Sequence, residues 1–345
     1  MLNIIPYELD TGEWNEYVFN NNDSNIYHQI SWKTIIEETF GHKGYYLIAK
    51  NNGLVRGLLP LFFIKSRLFG RYLISLPFLD RAGVIADNPQ IATLLCEAAI
   101  AMAQQTRVDF LELRNQGEIK HVDLITTTPK VNFVLSSELA ADILWKKVLQ
   151  KNVKNKVRKA WKNEIYIDIG SSAQYINDFY NVYCIHMRYL GTPVYPRNFY
   201  LNMLNAFPNN IKVILAKHKT KAIGGKIVLA FKDTLYFIAQ YSMRQYNEFH
   251  PNNLLYWSAI EYASKNDYKC CDMGRSTKDS GPYNFKKQWG GEPRQLYWQY
   301  YLNKGNQVPN LSPSNLKFSW AISIWKRLPL RLTQIIGPLI SRHIP

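Results

Sequence analysis

Apolar residues recur along the chain with two periods, and the order of those periods repeats. Leu47-Ile48-Ala49-Lys50 reads as a strand, Asn51-Asn52-Gly53 as a turn, and Leu54 to Ile64 as a second strand carrying Gly57. The pattern returns in the second half. There Ile214-Leu215-Ala216-Lys217 precedes a turn at His218 to Lys221, and Ala222 to Phe231 is a strand carrying Gly224. Lys50 and Gly57 are separated as Lys217 and Gly224 are. An Ala-rich helix, Ile91 to Gln105, then leads to the strand Val108 to Arg114. Its counterpart is a helix over Asn253 to Lys265, with Leu254, Leu255, Ala259 and Tyr262 at helical spacing, followed by a strand Tyr268 to Met273 that ends in Gly274-Arg275. Each half thus reads hairpin, further strand, helix, and a strand bearing an acid and then an arginine. Two copies in one order argue for duplication. The expected fold class is α/β (α+β), in two tandem copies, each a mixed, largely antiparallel sheet flanked by helices. The expected domains are 1–143 and 144–305, the second holding the active site, with a tail over 306–345.

Between the halves, Lys146 to Lys162 holds eight basic residues and no acid, with Trp145, Val148, Leu149, Val153, Val157 and Trp161 on one stripe. That is an amphipathic helix with a basic face, either simply solvated or set against a phosphate-rich partner such as RNA or a nucleotide-linked substrate. The tail mixes Trp320, Ile322, Ile324, Trp325, Leu328 and Leu330 with Lys317, Lys326, Arg327 and Arg331. It reads as two short helices, split at Pro329, that pack on the protein itself or lie on a membrane surface.

Composition narrows the classes. A net charge of +16 over 345 residues favours anionic partners. The four cysteines, Cys96, Cys184, Cys270 and Cys271, form no CxxC pair and no Cys/His spacing, so no zinc site is expected and a reducing compartment fits. The N-terminus MLNIIPYELDTGEW has no basic n-region followed by an apolar h-region, and no run reaches the ~18 apolar residues that a spanning helix needs. The expected location is the cytoplasm, with the tail bringing the protein to the inner face of the membrane as the alternative.

The densest polar constellation runs from Asp272 to Gly291, where a strand opens into a Gly/Ser-rich loop. Arg275, Lys286 and Lys287 there offer donors for a phosphate, a carboxylate or a developing oxyanion. His250 precedes the helix whose first turn is Pro251-Asn252-Asn253, a natural anion site. Tyr236, Gln240, Tyr241 and Ser242 lie on the preceding strand. Arg188 and Tyr195 flank a helix stop at Gly191 and Pro193. No Ser-His-Asp order, nucleophile elbow or paired-carboxylate motif is present.

Four segments together resemble the FemAB-like family, relatives of the FemABX peptidyltransferases associated with exosortase and exopolysaccharide systems. They are Lys154-Asn155-Lys156-Val157-Arg158-Lys159-Ala160, Arg188 to Pro193, Pro251-Asn252-Asn253-Leu254-Leu255-Tyr256-Trp257, and Asp272 to Lys287 with Trp289-Gly290. The likeness covers residues 25–300 and is strongest in the second half. It implies tandem GNAT-like domains and transfer of an acyl or aminoacyl group, by direct attack on an ester or thioester, to a nucleotide- or lipid-linked precursor of peptidoglycan or exopolysaccharide. The donor is then aminoacyl-tRNA or acyl-CoA, with no cofactor bound tightly. The Phe-Lys pair that such enzymes place at the reacting centre matches Phe285-Lys286. The catalytic candidates are Lys286, Asp272 and His250. The candidates for substrate contact are Arg275, Ser276, Phe285, Lys287, Tyr241, Arg188, Tyr195, Lys154 and Arg158. The chain departs from the pattern in two places. No long helical hairpin for tRNA is evident, and the GNAT phosphate loop Q/R-x-x-G-x-G/A is replaced by Gln245-Tyr246-Asn247-Glu248-Phe249-His250-Pro251-Asn252. Two other readings stay open: an acyl-CoA-dependent N-acetyltransferase of an amino sugar, and a non-catalytic membrane-surface scaffold that binds glycan precursors.

Overall fold

The computed structural model describes residues 2–7, 11–66, 70–309 and 319–344. The chain forms two compact α/β units. The first comprises Met1–Lys130, Gln295–Leu311 and Arg342–Pro345, the second Val131–Arg294 and Ser312–Ser341. The cuts expected at 143 and 305 are therefore corrected. The strand Lys130–Ser136 belongs to the second unit's sheet, and Tyr297–Leu302 pairs antiparallel with Phe110–Asn115 in the first. A strand's own sequence does not name the sheet whose edge it will complete, and an unpaired edge takes whichever strand reaches it.

The first unit has a four-stranded sheet and a six-stranded sheet. Its helix Pro89–Gln105 starts with Pro89 just inside and Asn88 as cap, the Asn88 side chain accepting from Ile91 N at 3.0 Å. Ile91, Leu95, Ala99 and Ala103 recur at helical spacing and are buried against Leu47, Ala49 and Leu59 of the hairpin.

The duplication holds at the level of single residues. The hairpin Leu47–Asn51/Leu54–Leu59 pairs Ala49 with Gly57 and has a bulge between Ala49 and Lys50. In the second unit Ala216 pairs with Gly224 and the bulge falls between Ala216 and Lys217. Each glycine lies under a helix: a Cβ on Gly57 would come within 2.9 Å of Leu95, and one on Gly224 within 3.0 Å of Leu255. The spacing shared by the two halves preserves a close helix-on-sheet approach.

The second unit's sheet has seven strands: β1 (Lys130–Ser136), β2 (Ile165–Gly170), β3 (Ile211–His218), β4 (Lys221–Phe231), β5 (Thr234–Ser242), β6 (Cys270–Thr277) and β7 (Glu292–Gln295). Their order is β2-β3-β4-β5-β6-β1-β7. The helices are α1 (Lys151–Lys162), α2 (Ala173–Leu190), α3 (Arg197–Ala206), α4 (Pro251–Lys265), α5 (Gly281–Lys287), α6 (Ser319–Trp325) and α7 (Leu330–Ser341). Side chains alternate across a strand, so consecutive Gly224 and Gly225 mark two faces. Gly224 lies under Leu255 of α4, and Gly225 lies under Phe179 of α2.

The single basic helix expected over 146–162 is broken. A π-turn at Leu144–Val148 and extended backbone at Leu149 and Gln150 precede α1. The extra residue of the π-turn resets the helical phase, so that Leu144, Leu149, Val153, Val157 and Ala160 are all buried. The strand expected over 54–64 is interrupted after Leu59 and resumes at Phe62–Ser66. The tail does form two short helices on either side of Pro329; Lys317 and Phe318 lie outside the described residues.

Candidate active site

β5 and β6 pair in parallel at Thr234/Cys270, Leu235/Cys271 and Tyr236/Asp272. Beyond that point β5 runs on to Ser242 and β6 to Thr277, so the sheet opens into a fork. Gln240, Tyr241 and Ser242 stand on one arm, and Arg275 and Ser276 on the other.

Asp272 sits where the fork opens. It is buried and accepts from Asn132 Nδ2 and from the Gly274 amide, both at 2.9 Å. These bonds tie β6 to β1 and fix a left-handed kink at Gly274 (φ 74°), where a side chain would be strained. The kink has a consequence for the carbonyls. In a regular strand successive C=O groups point to opposite sides, yet those of Gly274 and Arg275 both accept from Lys286 Nζ, at 2.8 and 2.9 Å. Lys286 comes from α5, which Ser280 caps by accepting from Tyr283 N. It is 7% exposed. Its neighbour Phe285 packs edge-on against Tyr256, with ring centroids 4.8 Å apart, and Trp289 stacks on the same ring at 5.5 Å. Arg275 is half-buried and Lys287 exposed, while the Ser276 hydroxyl is buried without a hydrogen-bond partner.

One residue that sequence reading passed over lies among these. Lys226 on β4 is fully buried, and its Nζ has no hydrogen-bond partner. The amine rests 3.6 Å from the ring centroid of Phe237, the first residue of the fork on β5, and 3.8 Å from that of Tyr256. Burial, and then the positive charge of Lys286, hold its pKa well below the ordinary lysine value. The Cys271 thiol beside it is itself pushed up to about 12 by burial and supplies no counter-charge near neutral pH. The first unit serves as an internal control. Two residues beyond Gly224 stands Lys226; two beyond Gly57 stands Leu59, equally buried and paired across the hairpin in the same way. A core position that takes leucine in one copy holds an unpaired amine in the other. The available signal was a lone charge inside the apolar run Ile223–Phe231.

α4 begins at the far end of the fork. His250 is its cap, in the left-handed region (φ 56°), and no side chain caps the helix. Burial, then Lys159 and Lys156 of α1, lower the imidazole's pKa. Gln240, the cross-strand neighbour of Lys226, donates to the Asn252 carbonyl at 3.3 Å and its Oδ1 at 3.2 Å, while its own Oε1 and Asn253 Nδ2 are buried without partners. A polyphosphate would meet lysines and a helix N-terminus here. However, the Asn253 and Leu254 amides already donate to the His250 carbonyl. The fit to such a group is by charge, without a backbone cradle.

The remaining candidates lie elsewhere. Tyr241 is on the α2 face of the sheet, its ring 4.7 Å from Tyr183 and 5.3 Å from His186. Arg188 donates to the Leu328 carbonyl at 2.6 Å, and Tyr195 packs edge-on against Phe199 at 5.5 Å. Lys154 caps the Lys146 carbonyl at 2.9 Å, and Arg158 stands 5.7 Å from the Trp145 ring. The lysines of α1 that face His250 are thus Lys156 and Lys159, half a turn from Lys154 and Arg158.

Residues 147–287 match the family described as Acetyltransferase (GNAT) domain. No curated protein matches the sequence. Among solved structures the chain resembles FemX, at 15% identity and a TM-score of 0.64 over 87% of this chain and 98% of that one. It also resembles the C-terminal domain of a putative lysylphosphatidylglycerol synthetase from Agrobacterium fabrum, at 9% identity and TM-score 0.58 over 85% and 91%. A tandem GNAT protein from the clavulanic acid biosynthesis pathway gives 10% and 0.55 over 89% and 100%. At such identities the likeness is one of fold. Residues 147–287 thus match the GNAT acetyltransferase domain, and the chain as a whole shares its tandem fold with FemX and the tandem GNAT protein.

Proposed function

We propose that the second unit transfers an acyl or aminoacyl group from an activated ester or thioester to an amine or hydroxyl of a cell-envelope precursor, with Lys226 and Lys286 as its working pair. The observation that carries this reading is the unpaired, fully buried Lys226 amine where the first unit has Leu59. Two like groups whose surroundings drive their protonation apart divide into a base and a cation. Lys226, its charged form disfavoured by burial and by Lys286, takes the proton of the attacking nucleophile, directly or through one water. The acceptor atom bonds to the carbonyl carbon, and the resulting oxyanion develops beside the fixed charge of Lys286. The C–S or C–O bond then breaks, and the proton on Lys226 passes to the leaving group. Asp272 shapes the Gly274 kink that presents Lys286 and does not itself act as base; His250 belongs to the donor end.

The donor's phosphates are assigned to Lys156, Lys159 and the start of α4. The envelope acceptor is supported by the resemblance to the FemABX peptidyltransferases and by the lysylphosphatidylglycerol synthetase neighbour.

The test is a mass-spectrometric transfer assay. The protein is given an extract of lipid- and nucleotide-linked precursors, together with either acyl-CoA or aminoacyl-tRNA pools. A mass gain with one pool identifies the donor. Lys286→Met should lower kcat by about 10²–10³-fold, the usual loss for a missing oxyanion partner. Full activity in that variant, or no gain with either pool, would sink the reading.

A further inference from the structure

The last helix, α7, is packed inside out. α7 turns Thr333, Gly337 and Ser341 inward, one face at a spacing of four residues. Gly337 lies so close to Val194 that a Cβ would come within 2.7 Å of its side chain and 2.9 Å of its backbone, and Ser341 Oγ donates to the Val194 carbonyl at 2.9 Å. The opposite row, Leu332, Ile335 and Leu339, is 38, 67 and 62% exposed. α6 also exposes Trp320 at 68% and Ile324 at 52%, while Trp325 is buried. It sits on the end of α2, where a Cβ on Gly191 would strike Ile322 and where Tyr189 and Leu190 are themselves exposed.

A helix in contact with water normally buries its large apolar side chains and exposes its small polar ones. One exposed leucine requires no explanation, but a row of large apolar side chains exposed along two successive helices marks an interaction surface. Its rim is cationic. Lys326, Arg327 and Arg331 are exposed, and Lys326 shares a surface cleft with Arg188 and Arg244. No Asp or Glu follows Glu292 anywhere in the sequence. A second copy docking by two-fold symmetry would lay this positive rim against itself. No helix among the described residues is long and apolar enough to cross a bilayer. Trp, Leu and Ile on one side with Lys and Arg beside them is the composition of a helix lying in a lipid headgroup layer.

We infer that α6 and α7 dock the protein on an anionic membrane surface, with Trp320, Ile324, Ile335 and Leu339 entering the headgroup–acyl boundary and Lys326, Arg327 and Arg331 on the lipid phosphates. This goes beyond the transfer reaction and stands or falls without it, because the test reads binding.

The purified full chain is floated with phosphatidylcholine vesicles and with vesicles containing phosphatidylglycerol. It should bind the second kind, more weakly as salt rises, with a blue shift of tryptophan emission. The double variant Ile335→Asp/Leu339→Asp should weaken binding by about tenfold or more. Lys326→Glu/Arg331→Glu should remove the preference for phosphatidylglycerol, and Phe19→Asp, at an exposed site in the first unit, should change nothing. All five positions are exposed, so the variants keep the fold, which circular dichroism checks. Failure to float with anionic vesicles, or undiminished binding by the double variant, overturns the inference. So does a solution dimer that Ile335→Asp splits, since the surface would then serve a second copy.

Discussion

Lys226 sets stability against activity at a single residue. Burying an amine without a partner costs about 1–3 kcal/mol by mutational measures, a cost that an unbranched, uncharged methionine does not carry. Lys226→Met should therefore unfold at higher temperature or denaturant than the parent, by an amount in that range. If Lys226 is the base, kcat should nevertheless fall by about 10²–10⁴-fold, the usual contribution of general base catalysis. The sign of the pH dependence follows from its depressed pKa. Between the folded value and the ordinary lysine value, the unfolded chain holds a proton that the folded chain has released. Stability should therefore rise with pH through that window, and below the folded value the full penalty remains. The variant should lose this slope, and its rate should lose the acid limb of the parent's profile. A variant that is stabilised and still fully active would leave Lys226 as a buried oddity with no part in the reaction. Gln240 and Ser276, also buried with unpartnered oxygens, border the same fork.

At the scale of elements, the hairpins, the helices after them and the acid-bearing strands were legible, because each depends on local spacing: a turn, a glycine, an alternation. What was not legible depends on distant partners. Lys226 gains its meaning from Phe237 and Tyr256, on a strand and a helix that its own strand does not announce. The kink at Gly274 could be suspected from a glycine after Asp272, but the convergence of two carbonyls on Lys286 could not. The basic stretch was legible, but its break at Leu149 and Gln150 was not. Helical phase, reset by the π-turn at Leu144–Val148, turns Lys156 and Lys159 toward His250, and leaves Lys154 and Arg158 to cap a carbonyl and to stand over Trp145. That difference is measurable. Lys156→Glu/Lys159→Glu should raise the donor's KM by about tenfold, or ~1.4 kcal/mol, and flatten its dependence on ionic strength. Lys154→Glu should leave KM within about twofold, as expected of an exposed charge away from the ligand. Equal effects from both would return the donor to the wider basic face.

For the whole molecule, duplication raises the question of how many sites one chain holds. The two units share a bulged hairpin, a glycine under a helix and a proline at that helix's start. They differ where a ligand would bind. In the first unit the helix N-terminus is closed by the Asn88 side chain, which takes the Ile91 amide; in the second no side chain caps α4, and two lysines act on His250. In the first unit the core position holds Leu59; in the second it holds Lys226. An amide already bonded to an oxygen offers a phosphate little in either unit, so the difference at the helix start is the charge of Lys156 and Lys159, and a leucine has no proton to exchange. On the proposed reading, one copy retains the scaffold and the other the chemistry. Calorimetric titration with the donor that the transfer assay identifies should saturate at one molecule per chain, and Lys156→Glu/Lys159→Glu should weaken that single event. Two equivalents per chain, one of them indifferent to these lysines, would mean that the first unit also binds, and Asn88 rather than Leu59 would be the residue to change next.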